Sequence, residues 1–217
     1  TMNGKQDISY VTNACETVAM MAMSRIIVVK STILPGTMRS IIFPLITKAV
    51  GRRDIRVYNN PEFLTESNAV YDFLHNKVVI GTNFSLYEKD DWGMNKLLEL
   101  YKPFRVPKIT TGWEEAEIIK YASNLALANR VSYWDEIYKI CTDLQIDPLI
   151  VSETVCLDKR IGTYGIRQIG KGYSGTCLPK DSAAFISWLK EKNIISKEMD
   201  MLEPMDNLNE YFRRKNE

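Results

Sequence analysis

Short, unbroken apolar runs alternate with segments of helical periodicity along the first half of the chain. The runs at 25–30, 54–59 and 77–81 are rich in β-branched residues, which is typical of strands buried on both faces of a parallel sheet. Apolar residues at helical spacing occupy 9–23 before the first run and 38–46 after it. Strands that alternate with helices predict an α/β fold built on a parallel sheet.

One long helix dominates the pattern of the second half. Between residues 113 and 141 the apolar positions form one broad stripe, which consists of Ile118, Ala122, Leu125, Val131, Trp134, Tyr138 and Cys141. At about 1.5 Å per residue this helix would extend roughly 40 Å, and helices of this length bridge two lobes or form an oligomer seam. A further helix begins behind the capping residue Asp147. We therefore expect two domains, at 1–112 and 113–217, and we expect the second to be mainly helical.

Two turns of the first half lie where α/β sheets bind ligands. Residues 31–37 and 60–67 each follow a predicted strand. Ligands of such sheets bind outside the carboxyl ends of the strands. Glu62 and Glu66 are four residues apart, so a short helix would place both carboxylates on one face of this candidate site.

A cysteine between a glycine-rich loop and a helix is the first candidate for chemistry. Cys177 lies just ahead of Pro179, a residue suited to a first helical turn, and Lys180 is close by. The positive end of a helix dipole and a nearby cation both lower the pKa of a thiol, which increases the fraction of nucleophilic thiolate. The same pattern fits a structural cysteine in a glycine-rich turn, and this stretch alone leaves both interpretations open.

Basic and amide side chains accompany this segment. Lys120 and Asn124 are four apart on the predicted long helix, which fits either a binding pair or an exposed lysine beside a solvated asparagine. The glycine-rich loop ahead of the cysteine carries Arg160, Arg167 and Lys171. Such a loop can wrap a polyanion with its backbone N–H groups and these cations, or it can be a mobile connection.

The composition argues against several classes of function. The net charge is +1, so electrostatics give no case for binding nucleic acid or an anionic membrane. Four scattered cysteines without a C-x-x-C pair argue against a disulfide framework or a zinc site and favour a reducing, cytoplasmic compartment. No apolar run is long enough to span a bilayer, and the start of the chain has no signal-peptide pattern. Because His75 is the only histidine, we expect neither a histidine-based triad nor a multi-histidine metal site.

Six short motifs occur in an order and at spacings that are typical of one enzyme family. They are Lys30-Ser31-Thr32 with Pro35-Gly36, Asn60-Pro61-Glu62-Phe63-Leu64 with Glu66, Val78-Val79-Ile80-Gly81, Glu117-Ile118-Ile119-Lys120-Tyr121-Ala122-Ser123-Asn124, Arg160-Ile161-Gly162 and Cys177-Leu178-Pro179-Lys180-Asp181. On these motifs the chain resembles the UDP-glucose/GDP-mannose dehydrogenase family, and within it most resembles the enzymes that oxidise UDP-glucose. The resemblance implies the second half of a Rossmann-like parallel sheet, then a helical central domain with one long helix. It also implies NAD as cofactor and a sugar nucleotide of the UDP-glucose type as substrate.

The resemblance further implies a role for each residue of the reaction. Cys177 would capture the C6 aldehyde of the sugar as a thiohemiacetal, which a second hydride transfer turns into a thioester. Lys120 and Asn124 would stabilise the oxyanion at C6, and Asp181 would orient Lys120 or a water. Glu62 would be the base for thioester hydrolysis.

Other matched residues are implied in binding. Thr32 and Glu66 would lie near the nicotinamide and the reacting oxygen, and Lys180 would also contact the cofactor. The loop 167–174 would help to hold the sugar nucleotide. The implied substrate contacts are Glu62, Phe63, Leu64, Lys120, Asn124, Arg160, Gly172, Tyr173, Ser174 and Gly175. The resemblance implies no metal, and it implies a homodimer through the helix at 113–141.

Two features of the family are missing from these 217 residues. There is no Gly-x-Gly-x-x-Gly turn between a strand and a helix, which in the family seats the dinucleotide pyrophosphate, and no further α/β lobe for the UDP follows about residue 200. We therefore expect a truncated dehydrogenase whose chemistry residues are intact. Two alternatives stay open: a non-catalytic remnant that binds a partner or self-associates through the long helix, and a thiolate hydrolase that uses Cys177.

Overall fold

The computed structural model describes residues 4–21, 26–51, 55–84, 91–194 and 200–216, and of Glu66 it describes the backbone alone. The chain divides into two compact units, one formed by residues 6–120 and the other by residues 1–5 together with 121–217. No helix in the described ranges is both long enough and apolar enough to cross a membrane.

The elements of the first unit alternate between helix and strand. They are α1 (Ser9–Met21), β1 (Ile26–Val29), a π-helical turn (Met38–Ile42) that continues as α2 (Phe43–Val50), β2 (Arg56–Asn59), a 3₁₀ turn (Glu66–Asn68) that leads into α3 (Ala69–His75), β3 (Val78–Thr82), α4 (Trp92–Leu100) and β4 (Lys108–Gly112). The next helix, α5 (Trp113–Asp143), begins in this unit and continues in the second. The second unit adds α6 (Pro148–Val155), a 3₁₀ turn (Ile166–Gln168), α7 (Leu178–Lys192) and α8 (Leu202–Asn216).

The sheet has the order β1-β2-β3-β4 and is mostly parallel, which confirms the predicted α/β class. β1 pairs in parallel with β2, and β3 pairs in parallel with β4. The prediction of parallel pairing is wrong at the centre, where Asn59 of β2 meets Gly81 of β3 in antiparallel register. All five residues of β3 are buried. Burial on both faces produces an apolar run whichever way a strand points, so the pattern carries no direction.

Two apolar layers enclose this sheet. One contains Met38, Ile42 and Ile46, which follow one another at helical spacing and are inaccessible to solvent. The other lies against α4 and includes the buried side chains Tyr58, Val78, Ile80, Met94, Leu97 and Tyr101. Gly81 is required where α5 crosses β3, because an added Cβ would lie 2.6 Å from the Cβ of Ala116.

The second unit packs α7 and α8 against the rest of α5. Tyr121 stacks on Phe185 of α7 with ring centroids 5.1 Å apart, and Ser132 donates to the Met205 carbonyl of α8 at 3.1 Å. The sequence pattern did not predict α8, because this segment is highly charged and only three of its residues are buried. They are Met205, Asn209 and Phe212. The basic side chains at 213–215, near the end of α8, are exposed.

Candidate active site

The turn that follows β1 is held by a side chain from the start of the chain. Gln6 donates from Nε2 to the carbonyl oxygen of Thr32 at 2.7 Å, and its Oε1 accepts from the N–H of Leu34 at 3.1 Å. Between them Ile33 is 1% exposed and belongs to the apolar core. The backbone that carries Thr32 is therefore held by the burial of Ile33 in the core and by the two hydrogen bonds of Gln6.

A buried carboxylate of α5 holds the other end of the same turn. Glu117 is 1% exposed. Its Oε2 accepts from the N–H of Gly36 at 2.6 Å, and its Oε1 accepts from the N–H of Met38 at 2.8 Å. Burial raises the pKa of Glu117 to about 7, although these two N–H donors act in the opposite direction.

Asn60 is the centre of a polar cluster behind β2. Its Oδ1 accepts from Lys30 Nζ at 3.1 Å and from the Tyr101 hydroxyl at 2.5 Å, and its Nδ2 donates to the Val79 carbonyl at 2.7 Å. Lys30 Nζ also lies 3.3 Å from Oε1 of Glu62. The cluster therefore places a fixed cation beside the carboxylate that was predicted to be the base.

The predicted helical face shared by Glu62 and Glu66 is wrong for Glu62. Residues 61–65 form no helix, and helical structure begins only at Glu66, whose side chain lies outside the described part of the chain. Side chains of α3 and its end explain the loop. Asp72 accepts from the N–H of Thr65 at 2.7 Å, and Asn76 donates to the carbonyl of Phe63 at 3.0 Å. These bonds occupy backbone groups that a helix would need.

Lys120 is buried, with 8% of its surface exposed. Its Nζ lies 5.4 Å from the ring centroid of Phe63, and Nζ of Lys77 lies 4.1 Å from the same centroid. Burial lowers the pKa of Lys77. Leu64, next along the loop, is half-buried. The burial of Lys120 is inconsistent with a solvated surface lysine and consistent with a lysine that serves a binding site.

In the second unit Asp181 is the partner of two other predicted site residues. Asp181 is 2% exposed and accepts from Asn124 Nδ2 at 2.6 Å. Its other carboxylate oxygen lies 3.0 Å from Nζ of Lys180. Asn124 is itself buried, so the interpretation of a solvated asparagine is also wrong.

Cys177 is the exposed member of the four cysteines, all of which lie in the described ranges. It directly precedes α7, with Pro179 in the first turn, as the sequence predicted. The Cys177 carbonyl accepts from the N–H of Asp181 at 2.9 Å, and its Sγ lies 3.7 Å from the Thr176 hydroxyl. The thiol therefore stands at a helix N-terminus, one helical turn before the buried carboxylate of Asp181.

Side chains of α5 and α8 hold the backbone of the glycine-rich loop that precedes Cys177. Asp135 of α5 accepts from the N–H of Gly170 at 2.7 Å, and burial raises the pKa of Asp135 to about 6. Asn209 of α8 accepts from the N–H of Tyr173 at 2.6 Å. A Cβ on Gly172 would lie 2.7 Å from that same amide oxygen, and the residue has a φ of +75°, so only glycine fits.

The rest of this loop faces outward. Ser174 and Gly175 are exposed. The Tyr173 ring is buried and its hydroxyl donates to Asp206 at 2.5 Å; burial is the main cause that raises the pKa of this tyrosine. The Arg160 side chain is 90% exposed and pairs with Asp158 at 2.6 Å. The loop thus has exposed residues at Ser174 and Gly175 and three exposed cations, which are Arg160, Arg167 and Lys171.

Two domains of one known enzyme family match this chain. Residues 1–105 match the NAD binding domain of the UDP-glucose/GDP-mannose dehydrogenase family, and residues 114–211 match its central domain. The chain belongs to this family.

The similarity extends to individual relatives. The chain is 37% identical over 187 residues to the UDP-glucose 6-dehydrogenase YwqF of Bacillus subtilis, an alignment that covers 85% of this chain and 41% of the relative. It is 33% identical over 192 residues to the GDP-mannose 6-dehydrogenase of Pseudomonas aeruginosa, which covers 84% and 42%. The structure of a UDP-glucose dehydrogenase from Pyrobaculum islandicum superposes with a TM-score of 0.87 at 35% identity and covers 97% of this chain and 48% of that one. The chain spans about two-fifths of the length of these curated relatives.

The match to the dehydrogenase family indicates NAD as the cofactor. The polar groups of the first unit fit the reactive end of a dinucleotide: the turn behind β1 presents Thr32 on a backbone that Gln6 and Glu117 hold in place. A Cβ on Gly36 would meet nothing within 4 Å, so the surface of this turn is open to a ligand. No strand–glycine–helix turn for the pyrophosphate occurs in the sequence. The residues present therefore fit the nicotinamide half of the cofactor.

Sequence reasoning assigned no role to several residues that support the candidate site. Lys30, Asn60 and Glu117 all lie within the quoted motifs, but their partners are distant in the chain; Glu117 lies 81 residues from Gly36. Asp135 lies outside the motifs. A charged residue within an apolar helical stripe was the available signal, because such a residue is buried only when it has hydrogen-bond partners.

Proposed function

We propose that this chain supplies the catalytic residues of an NAD-dependent sugar-nucleotide dehydrogenase that oxidises the C6 alcohol of a UDP-glucose-type substrate to the carboxylate. The observation that carries the proposal is the burial of three polar residues, together with the exposure of the cysteine. Lys120, Asn124 and Asp181 are buried, while Cys177 is exposed at a helix N-terminus. Buried polar groups and an exposed thiol are the side chains that a site for covalent trapping and charge stabilisation requires.

The first task of these residues is to trap the aldehyde. NAD, when bound, accepts the hydrides that leave C6. The Sγ of Cys177 attacks the C6 carbonyl carbon, so that a C–S bond forms and the carbonyl electron pair moves to oxygen. Lys120 and Asn124 donate hydrogen bonds to that oxyanion, and Asp181 orients the Asn124 amide through the contact at 2.6 Å.

The second task is hydrolysis of the thioester, which forms when the oxyanion returns its electron pair to C6 as the second hydride leaves that carbon. Glu62 takes a proton from water, the resulting hydroxide attacks C6, and the C–S bond breaks to release the carboxylate and the Cys177 thiolate. Lys30, which lies 3.3 Å from Glu62, holds that carboxylate in place through the Asn60 cluster. We assign Thr32, Glu66 and Lys180 to the cofactor side of the reaction.

The glycine-rich loop is the proposed seat of the sugar nucleotide. Its exposed residues Ser174 and Gly175, with Arg160, suit a pyrophosphate, while Phe63 and Leu64 supply backbone contacts to the sugar. Titration calorimetry with UDP-glucose and GDP-mannose tests the substrate class. Micromolar binding of one of them supports the proposal, and heat from neither in a folded sample argues against it.

A second proposal, self-association, concerns the exposed face of α5. Tyr133 and Ile140 are two turns apart on this helix and are 48% and 47% exposed. Large apolar side chains in line on a helix face are typical of an interface. We propose that the chain forms a homodimer through α5; without catalysis, this would be the function of a non-catalytic remnant.

Light scattering is expected to give twice the chain mass of 25.0 kDa. Changing both Tyr133 and Ile140 to glutamate should return the mass to that of one chain, because two charges would be desolvated at the interface. Leu157→Glu is the matched control, since Leu157 is 80% exposed and lies outside α5. A wild-type monomer at tens of micromolar would contradict the dimer.

The remaining assignments also stay proposals. The alternative of a thiolate hydrolase has little support, since a hydrolase would pair its cysteine with a histidine, and the single histidine of the sequence, His75, lies in none of the matched motifs and contacts the carbonyl of Tyr71 at 2.9 Å. The division of the chain at 112/113 and a cytoplasmic location remain predictions from the sequence.

A further inference from the structure

We propose that Glu117 is a positioning residue. Its carboxylate, which comes from α5, caps the helix that begins at Met38 and thereby fixes the turn that carries Thr32. This inference rests on the proposed function for its catalytic consequence. Its structural part stands on the contacts of the first unit alone.

The first N–H groups of a helix have no partner within that helix. Here the helix begins at Met38, and the residue before it, Thr37, makes no side-chain capping bond. The N–H groups of Gly36 and Met38 are bound instead by the two carboxylate oxygens of Glu117, at 2.6 and 2.8 Å. A carboxylate at a helix N-terminus is also favoured by the helix dipole.

This cap holds the turn that carries Thr32 against α5, in addition to the core packing that Ile33 and Met38 share with Trp113 of α5. Gln6 holds its first half, and Glu117 holds its second half. Glu117 lies three residues before Lys120 on the same helix. The carboxylate therefore sets the distance between the turn behind β1 and the part of α5 that carries Lys120, two elements that the proposed reaction needs in register.

Among the described residues, the charged groups that act on Glu117 are Glu114 and Arg39. Glu114 lies one turn earlier on α5 and raises the pKa of Glu117, while Arg39, behind the capped turn, lowers it. Glu114 and Arg39 form an ion pair with each other. Burial outweighs both and gives a pKa of about 7, so the cap is ionised above neutral pH and becomes protonated below it.

Amide hydrogen exchange tests the cap without any need for activity. In the wild-type chain the amides of Gly36 and Met38 should be protected, and their protection factors should be higher at pH 8 than at pH 6. Glu117→Gln should lower protection about tenfold at the backbone amide that then faces the NH₂ group, and it should remove the pH dependence at both amides, because only the remaining side-chain oxygen can accept and it does not titrate. Glu115→Gln removes the same charge from an exposed position of the same helix and should change neither.

The results separate the two claims. Protection that is unchanged at both Gly36 and Met38 by Glu117→Gln would overturn the cap. If Glu117→Gln does not fold, exchange of both amides at the unprotected rate in the wild-type chain would overturn it instead. For the catalytic consequence, a form of the protein that turns over should lose kcat about tenfold in Glu117→Gln, with the KM for sugar nucleotide unchanged; an unchanged kcat overturns the positioning role. A wild-type chain that binds neither NAD nor sugar nucleotide would overturn the proposed function, while exchange would still decide the cap.

Discussion

Replacing Cys177 with alanine is expected to abolish the fast alkylation of this chain by a slight excess of iodoacetamide near neutral pH. Alkylation requires a thiolate that solvent can reach. Cys15 and Cys141 are buried, and burial also raises the pKa of Cys15. Cys177 is exposed at the N-terminus of α7, so the reagent can reach its thiol.

Cys156→Ala is the matched control for this experiment. Cys156 is half-buried, and its thiol lies 3.1 Å from the carbonyl of Gly162, so it should react slowly and its loss should leave fast labelling intact. Intact-mass spectrometry over minutes, followed by peptide mapping, gives the site directly. Fast labelling that persists in Cys177→Ala would show that another cysteine is the reactive thiol.

Asp181→Ala is expected to lower the free energy of unfolding by about 2–3 kcal/mol, because it leaves the buried Asn124 amide without its acceptor. The side chains of Asn124 and Asp181 are 2.6 Å apart, and both residues are almost inaccessible to solvent. Asp181→Asn keeps the volume and one acceptor, so its effect should be smaller. Urea unfolding followed by circular dichroism measures the change.

A double-mutant cycle attributes this loss to the pair. If the contact is the cause, Asn124→Ala should cost less in the Asp181→Ala background than in the wild type; strictly additive costs would contradict it. Asp158→Ala is the control, since it breaks the exposed pair with Arg160 and should leave the unfolding midpoint unchanged.

The sequence predicted those elements of the fold whose burial leaves a regular pattern. The apolar runs became β1, β2 and β3, and the long apolar stripe became α5. β4 (Lys108–Gly112) was missed because it is largely exposed and contains two threonines in place of an apolar run. The pattern could not predict the direction of a strand or its neighbours in the sheet, as the antiparallel contact between β2 and β3 illustrates.

The sequence could name candidate residues for the site but not their contacts. The motifs contain Lys120, Asn124 and Cys177, and the burial of Lys120 and Asn124 then excluded their interpretation as solvated surface residues. The bonds of Glu117 to the turn behind β1 join residues about 80 positions apart. Helical or strand periodicity relates only near neighbours, so neither period can predict such a bond.

Calorimetric titration of the folded chain with NAD, then with UDP-glucose and GDP-mannose, tests the central claim most directly. We expect weak binding of NAD, because the glycine turn for its pyrophosphate is not in the sequence. We also expect micromolar binding of one sugar nucleotide. The nucleotide that binds identifies the substrate class. A folded sample that gives no heat with any of the three would contradict the account and favour a chain that retains the family's catalytic residues without a working site.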